Sequence, residues 1–148
     1  MIVKKYQKYL ISTYCYQFIL ISVIFLSLGF ILNFFEELKF FDDHDVDVYY
    51  PLILALLNTP SILFELFPFI FLITTKFFYI YLNDRSEIEI LKNNGVNYTK
   101  ILSILSLLAF SIGVIILLVY YTFSSNLKSH YFNLKSNFSD DNKYLAVV

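Results

Sequence analysis

The sequence predicts an all-α membrane protein, with three transmembrane helices and a short polar helix between the second and third. Three observations carry this. No Asp, Glu, Lys or Arg occurs from Tyr9 to Phe35, nor from Ile101 to Leu127, and about 20 apolar residues are enough to span a bilayer as a helix. The chain is 58% hydrophobic and 16% charged, whereas soluble domains run near 25% charged. Between the second and third apolar runs, residues 83–100 are polar and carry helix start and stop signals.

The same counts exclude other classes. A net charge of −1 gives no basic field for nucleic acid. The single cysteine, Cys15, cannot close an internal disulfide, and within its apolar run it reads as a small buried hydrophobe.

The first span is expected over residues 10–33, after Lys4, Lys5 and Lys8. A cleaved signal peptide would have an apolar core of only about 7–15 residues and then a small-residue site; this run is longer and has no such site. Residues 36–50 follow as an acidic, solvated loop, with Glu36, Glu37, Asp42, Asp43, Asp45 and Asp47 against Lys39. His44 stands among them, but the spacing is not that of a calcium loop, and no metal site is assigned.

Residues 52–82 are too long for one perpendicular span, about 45 Å as a helix against a core of about 30 Å. The expected division makes Leu52–Asn58 an interfacial segment broken by Pro60. The span then covers residues 61–82, with a kink at Pro68. Glu65 falls near its outer end and Lys76 about two turns from its inner end. The two lie roughly 16 Å apart along the axis, too far to pair. Charges inside a span are expensive, which makes both functional candidates.

The polar helix is expected over about 84–95. Ser86 followed by Glu89 fits a capping box, with Asp84 followed by Glu87 as a second frame, and Asn94-Gly95 fits a left-handed stop. Ile88 and Leu91 share a face, with Glu87 beside them. Two turns are too short to stand alone in water, so the adjoining spans or a partner must hold the helix. Lys occurs ten times and Arg once. That one is Arg85, whose planar fork makes bidentate contacts that Lys cannot. The third span is expected over residues 101–124, with Asn97 as its N-cap and Gly113 as a place for close helix approach. Residues 128–148 read as the incomplete start of an outer domain. Its last five residues look like a strand without a partner, so the chain is expected to continue beyond this sequence.

Positive charge sets the orientation. Three spans put Lys4, Lys5, Lys8, Arg85, Lys92 and Lys100 on one side, and Lys39, Lys128, Lys135 and Lys143 on the other. The N-terminus and the polar helix are therefore expected in the cytoplasm. No catalytic group is assigned. Gly29, Gly95 and Gly113 are the only glycines, and none precedes a Lys, so there is no phosphate-binding P-loop. His44 and His130 form no zinc-protease motif. Neither an enzyme nor a cofactor is expected.

Several pieces, taken in order, resemble the N-terminal part of the LptF/LptG permeases of lipopolysaccharide export. Lys5-Tyr6 and Tyr9-Leu10 open the first span, and Asn33-Phe34-Phe35-Glu36-Glu37-Leu38-Lys39 closes it. Thr59-Pro60 and Phe67-Pro68 flank the second. Arg85-Ser86-Glu87 and Asn94-Gly95 match the family's coupling segment, and the pattern is slightly closer to LptG. The resemblance implies six spans, of which these are three, with a periplasmic β-jellyroll starting after the third. It implies an inner-membrane subunit that extracts lipopolysaccharide and exports it toward the outer membrane. Its partners would be a cytoplasmic LptB-like ATPase dimer, a second LptF- or LptG-like subunit and LptC/LptA-like bridge proteins. Coupling to the ATPase would fall to Arg85, Ser86, Glu87, Ile88, Leu91 and Gly95, with Ile88 and Leu91 packing in a groove and Glu87 meeting a basic residue. Lys39 and Glu65 are the substrate candidates, Lys39 matching a basic position of the family. Asn33 departs from the basic residue that some LptG members carry there. A small three-span accessory or regulatory protein, without transport of its own, is the alternative.

Overall fold

The computed structural model describes residues 5–42 and 47–136, and these are almost entirely helical. Helix α1 is Lys5–Phe40 and α2 is Tyr49–Asp84, each of 36 residues. The short α3 is Glu87–Asn93 and α4 is Tyr98–Ile115. A π-helical turn, Ile116–Tyr120, leads without a break into α5, Tyr121–Ser136. Three stretches are long and apolar enough to cross a membrane: Lys5–Phe40, Tyr49–Asp84 and Tyr98–Ser136. Their most apolar windows are 17%, 28% and 11% buried, so most of that apolar surface faces outward. Water would penalise such a surface, whereas lipid tails solvate it.

The helices are longer than the sequence suggests, at three places. Pro60 does not break α2, which runs through both Pro60 and Pro68. A proline costs the helix about 3 kcal/mol, but ending a helix in lipid strands several backbone groups at once. Side chains also hold this turn from outside α2. Asn33 Nδ2 donates to the Ala55 carbonyl at 3.0 Å, and the Tyr120 hydroxyl donates to the Pro60 carbonyl at 3.1 Å. Within α2, Thr59 donates to the Ala55 carbonyl at 2.6 Å. The proline at the helix start is Pro51, in the first turn, where its missing N–H costs nothing.

The second difference is at the end of α1. Glu36, Glu37 and Lys39 are helical rather than part of a loop, and Glu37 is buried. His44, Asp43 and Asp45 lie outside the described residues. The third is at residues 128–136, expected to begin an outer domain, which are the last turns of α5. The strand expected over 144–148 lies outside the described residues; none of those described forms a strand.

The chain divides into two compact units, Met1–Val23 with Phe67–Ile116 and Ile24–Leu66 with Leu117–Val148. The first has a core of Leu10, Tyr14, Phe78, Leu82, Ile101 and Leu105, joined by Val96. Tyr14 and Phe78 meet edge to face, with centroids 5.5 Å apart. In the second, Phe41, Leu54 and Tyr131 cluster, and Phe64 stacks on Tyr120 at 6.5 Å. Gly113 has no heavy atom within 4 Å of where a Cβ would stand, so no close helix approach occurs there.

Candidate functional site

The expected polar helix exists as α3, seven residues long and bounded at both ends by left-handed residues. At the exit, Asn94 is the C-cap and Gly95 takes φ +78°. Gly95 N–H donates to the Lys92 carbonyl and Val96 N–H to the Leu91 carbonyl, each at 2.9 Å. These are the two bonds of a Schellman stop. Its usual apolar contact is served by buried Val96 and half-buried Leu91, both in the core of the first unit.

The entry differs from expectation. Ser86 is left-handed, with φ 54° and ψ 20°, and its side chain makes no capping hydrogen bond. The capping box with Glu89 therefore does not form. Ser86 has a backbone task instead. Its N–H closes a turn on the Asn83 carbonyl at 2.9 Å, and its carbonyl accepts from Ile90 N–H at 3.1 Å. One residue thus ends α2 and starts α3, and the positive φ that reverses the chain is incompatible with an extended N-cap. Asn97 likewise stands at the start of α4 without a side-chain cap. Its carbonyl accepts from Lys100 and Ile101.

Of the residues expected to form the coupling surface, Ile88 and Leu91 are half-buried against the core of the first unit. They pack on the chain's own core, which is how so short a helix is held. Ile90, 56% exposed, is the large apolar side chain that α3 turns outward, beside exposed Glu89 and Asn93. Glu87 is half-buried and accepts from the Tyr9 hydroxyl at 2.7 Å to both carboxylate oxygens. The Arg85 guanidinium lies over the Tyr81 ring, 4.5 Å from its centroid, and Lys92 lies 5.8 Å from the centroid of Tyr98. The structure thus gathers Arg85 to Gly95 into one short element rooted in the first unit.

The substrate candidates are not brought together. Lys39 is exposed on the last turn of α1. Glu65 is exposed and forms a loose 3.8 Å ion pair with Lys128 of α5. Two polar clusters of the second unit are not foreseen from the sequence. In one, buried Asn33 bonds Ala55 as above and accepts from Asn58 Nδ2 at 3.0 Å. In the other, Lys135 Nζ donates to both oxygens of Glu37 at 3.0 Å and to the Tyr131 hydroxyl at 2.7 Å. Tyr131 donates in turn to Glu37 Oε1 at 2.7 Å, and the Lys135 ammonium lies 4.3 Å from the centroid of Phe40. The i, i+4 spacing of Tyr131 and Lys135 is the visible signal, masked because that segment reads as a polar tail. Among the described residues no three His, Cys, Asp or Glu side chains come together as a metal site would require.

The sequence model of one protein family, lipopolysaccharide export system permease LptF/LptG, matches residues 8–148. No curated protein and no solved structure matches the chain.

Proposed function

The chain belongs to the LptF/LptG family of lipopolysaccharide export permeases, and from that premise we propose that it is an inner-membrane subunit whose residues 84–95 couple it to a separate ATPase. Members of the family are transporter membrane subunits, not themselves enzymes, so ATP hydrolysis falls to the partner. The N-terminus and α3 then face the cytoplasm, as the lysine distribution favours. A second permease subunit and periplasmic bridge proteins complete the exporter. Lys39, at the far end of α1, is the proposed point charge for lipid phosphates.

The observation that carries the reading is how α3 is anchored. A helix of two turns has little stability of its own. This one is clamped by left-handed residues at both ends, packed inward through Ile88 and Leu91, and tied to α1 through Glu87 and Tyr9. A force on α3 therefore reaches α1 through Glu87 and Tyr9, and the core shared by α1, α2 and α4 through Ile88 and Leu91. The surface left for the partner is Ile90 with Glu89 and Asn93, flanked by Arg85 and by the charge of half-buried Glu87. Central apolar anchors dominate such interfaces.

The test is co-purification of the ATPase with variants of the permease. Ile90→Asp is expected to abolish it while the protein stays folded, because Ile90 is exposed. Retention of the ATPase by Ile90→Asp would overturn the assignment of this face.

A further inference from the structure

We propose that the first unit carries a binding site for one anionic phospholipid, built on Lys5 and Lys100 at the membrane surface and continued along α4. Two adjoining hollows, about 400 and 450 Å³ in volume, share Tyr6 and Lys100. Lys5 lines one of them, and Thr99 and Ser103 line the other. The acid–base ion pairs among the described residues are Glu65–Lys128 and Glu37–Lys135, so no described carboxylate neutralises Lys5 or Lys100. Two such ammonium groups, in a lining that also holds Tyr6 and Thr99, match a phosphodiester and its negative charge.

The wall of the hollow then continues into the bilayer. Ser103 is shared with a third hollow of about 510 Å³, lined also by Leu102, Ser106, Leu107 and Phe110. Leu107 and Phe110 are 69% and 71% exposed. One turn of α4 therefore joins a cationic cleft to an apolar trough on the outer surface of the same helix. A soluble anion would use only the cleft. A phospholipid uses both, its phosphate between the lysines and an acyl chain in the trough. Basic pockets of this kind at the ends of transmembrane helices suit anionic head groups. Leu91, Asn94 and Gly95 of the proposed coupling segment also line one hollow, but the site needs only that the chain lies in a membrane and does not rest on the ATPase reading.

The experiment is native mass spectrometry of the full chain extracted in mild detergent, with added phosphatidylglycerol or phosphatidylethanolamine as probes. The wild type is expected to retain phosphatidylglycerol preferentially. Each lysine contributes about fivefold, so Lys5→Ala with Lys100→Ala should lower that preference about 25-fold. Lys8→Ala, of equal charge at the same end but outside the hollows, should change retention less than about twofold. Ser106→Trp, which fills the trough, should lower retention of both lipids. Equal loss in Lys8→Ala would mean a diffuse field and overturn the site. Unchanged lipid retention in the double variant would also overturn it, as would loss of a bound protein there in place of lipid. Both lysines are exposed, so the variants are expected to keep the wild-type melting temperature without lipid. A fall in that temperature would show that the lysines hold the fold and would overturn their role as lipid ligands.

Discussion

The Tyr9 hydroxyl lies 2.7 Å from both carboxylate oxygens of Glu87, across 78 residues of sequence. One proton is shared between two acceptors, which leaves the charge of Glu87 in place and fixes its direction. Tyr9→Phe and Glu87→Gln therefore separate two roles. Tyr9→Phe removes the tie to Glu87 and the hydroxyl's contacts with Thr13 and Tyr81 but keeps the carboxylate, and is expected to cost about 1 kcal/mol, since Tyr9 is 41% exposed. That appears as a small fall in melting temperature with ATPase co-purification kept. Glu87→Gln keeps a hydrogen-bond acceptor but loses the charge and should weaken ATPase binding. Glu87→Lys should abolish it if the proposed coupling holds, since a basic residue of the ATPase would then meet a like charge. Equal losses in Tyr9→Phe and Glu87→Gln would mean that the internal tie, not the charge, is what coupling needs.

Ser86 offers a test of backbone against side chain. A capping serine loses about 1 kcal/mol on replacement by Ala. Here the hydroxyl caps nothing and the residue is left-handed. Ser86→Ala is therefore expected to be near neutral in thermal unfolding. Ser86→Gly should stabilise by about 0.5–1 kcal/mol, because Gly carries no Cβ penalty at φ 54°. A loss of stability in Ser86→Gly would mean that the side chain does matter.

What the sequence discloses depends on where the information sits along the chain. The two charge-free runs and the Asn94-Gly95 stop are local, and each is readable because lipid demands length and a left-handed exit favours Gly. Ser86 misleads because Ser-x-x-Glu is compatible with a cap, and φ is set by the reversal of the chain rather than by the motif. The helix through Pro60 depends on Asn33 and on Tyr120, a partner 60 residues away. The inward turn of Ile88 and Leu91 is visible as a shared face, but the face alone does not say whether core or partner covers it. Val96, just beyond the helix yet buried, decides that it is the core.

The glycines separate in the same way. Gly95 has open space where a Cβ would stand but a positive φ. Gly95→Ala is expected to cost about 1–2 kcal/mol through backbone strain alone and to loosen α3. Gly113 lies inside α4 with the same open space and no such φ. Gly113→Ala should therefore stabilise by up to about 1 kcal/mol. Thermal unfolding in detergent reads both signs. Loss of stability on Gly113→Ala would point to a neighbour packed there that the chain alone does not supply.

Glu37 and Lys135 form a 3.0 Å ion pair with side-chain exposures of 2% and 10%, completed by Tyr131. Removing one member of a buried pair leaves the other charged without a partner, at about 3–5 kcal/mol. Lys135→Met is thus expected to be strongly destabilising and to free the end of α5 from α1. Replacing both members spares that penalty, since a well-packed neutral pair of similar volume is often no worse than the ions. Glu37→Gln combined with Lys135→Met should therefore recover most of the stability lost in Lys135→Met. Tyr131→Phe should be milder than Lys135→Met, because Lys135 still satisfies both oxygens of Glu37. Hydrogen exchange across residues 121–136 would report the fraying directly. If the double variant frays as much as Lys135→Met, the network holds α5 by its specific geometry rather than by avoiding an orphaned charge.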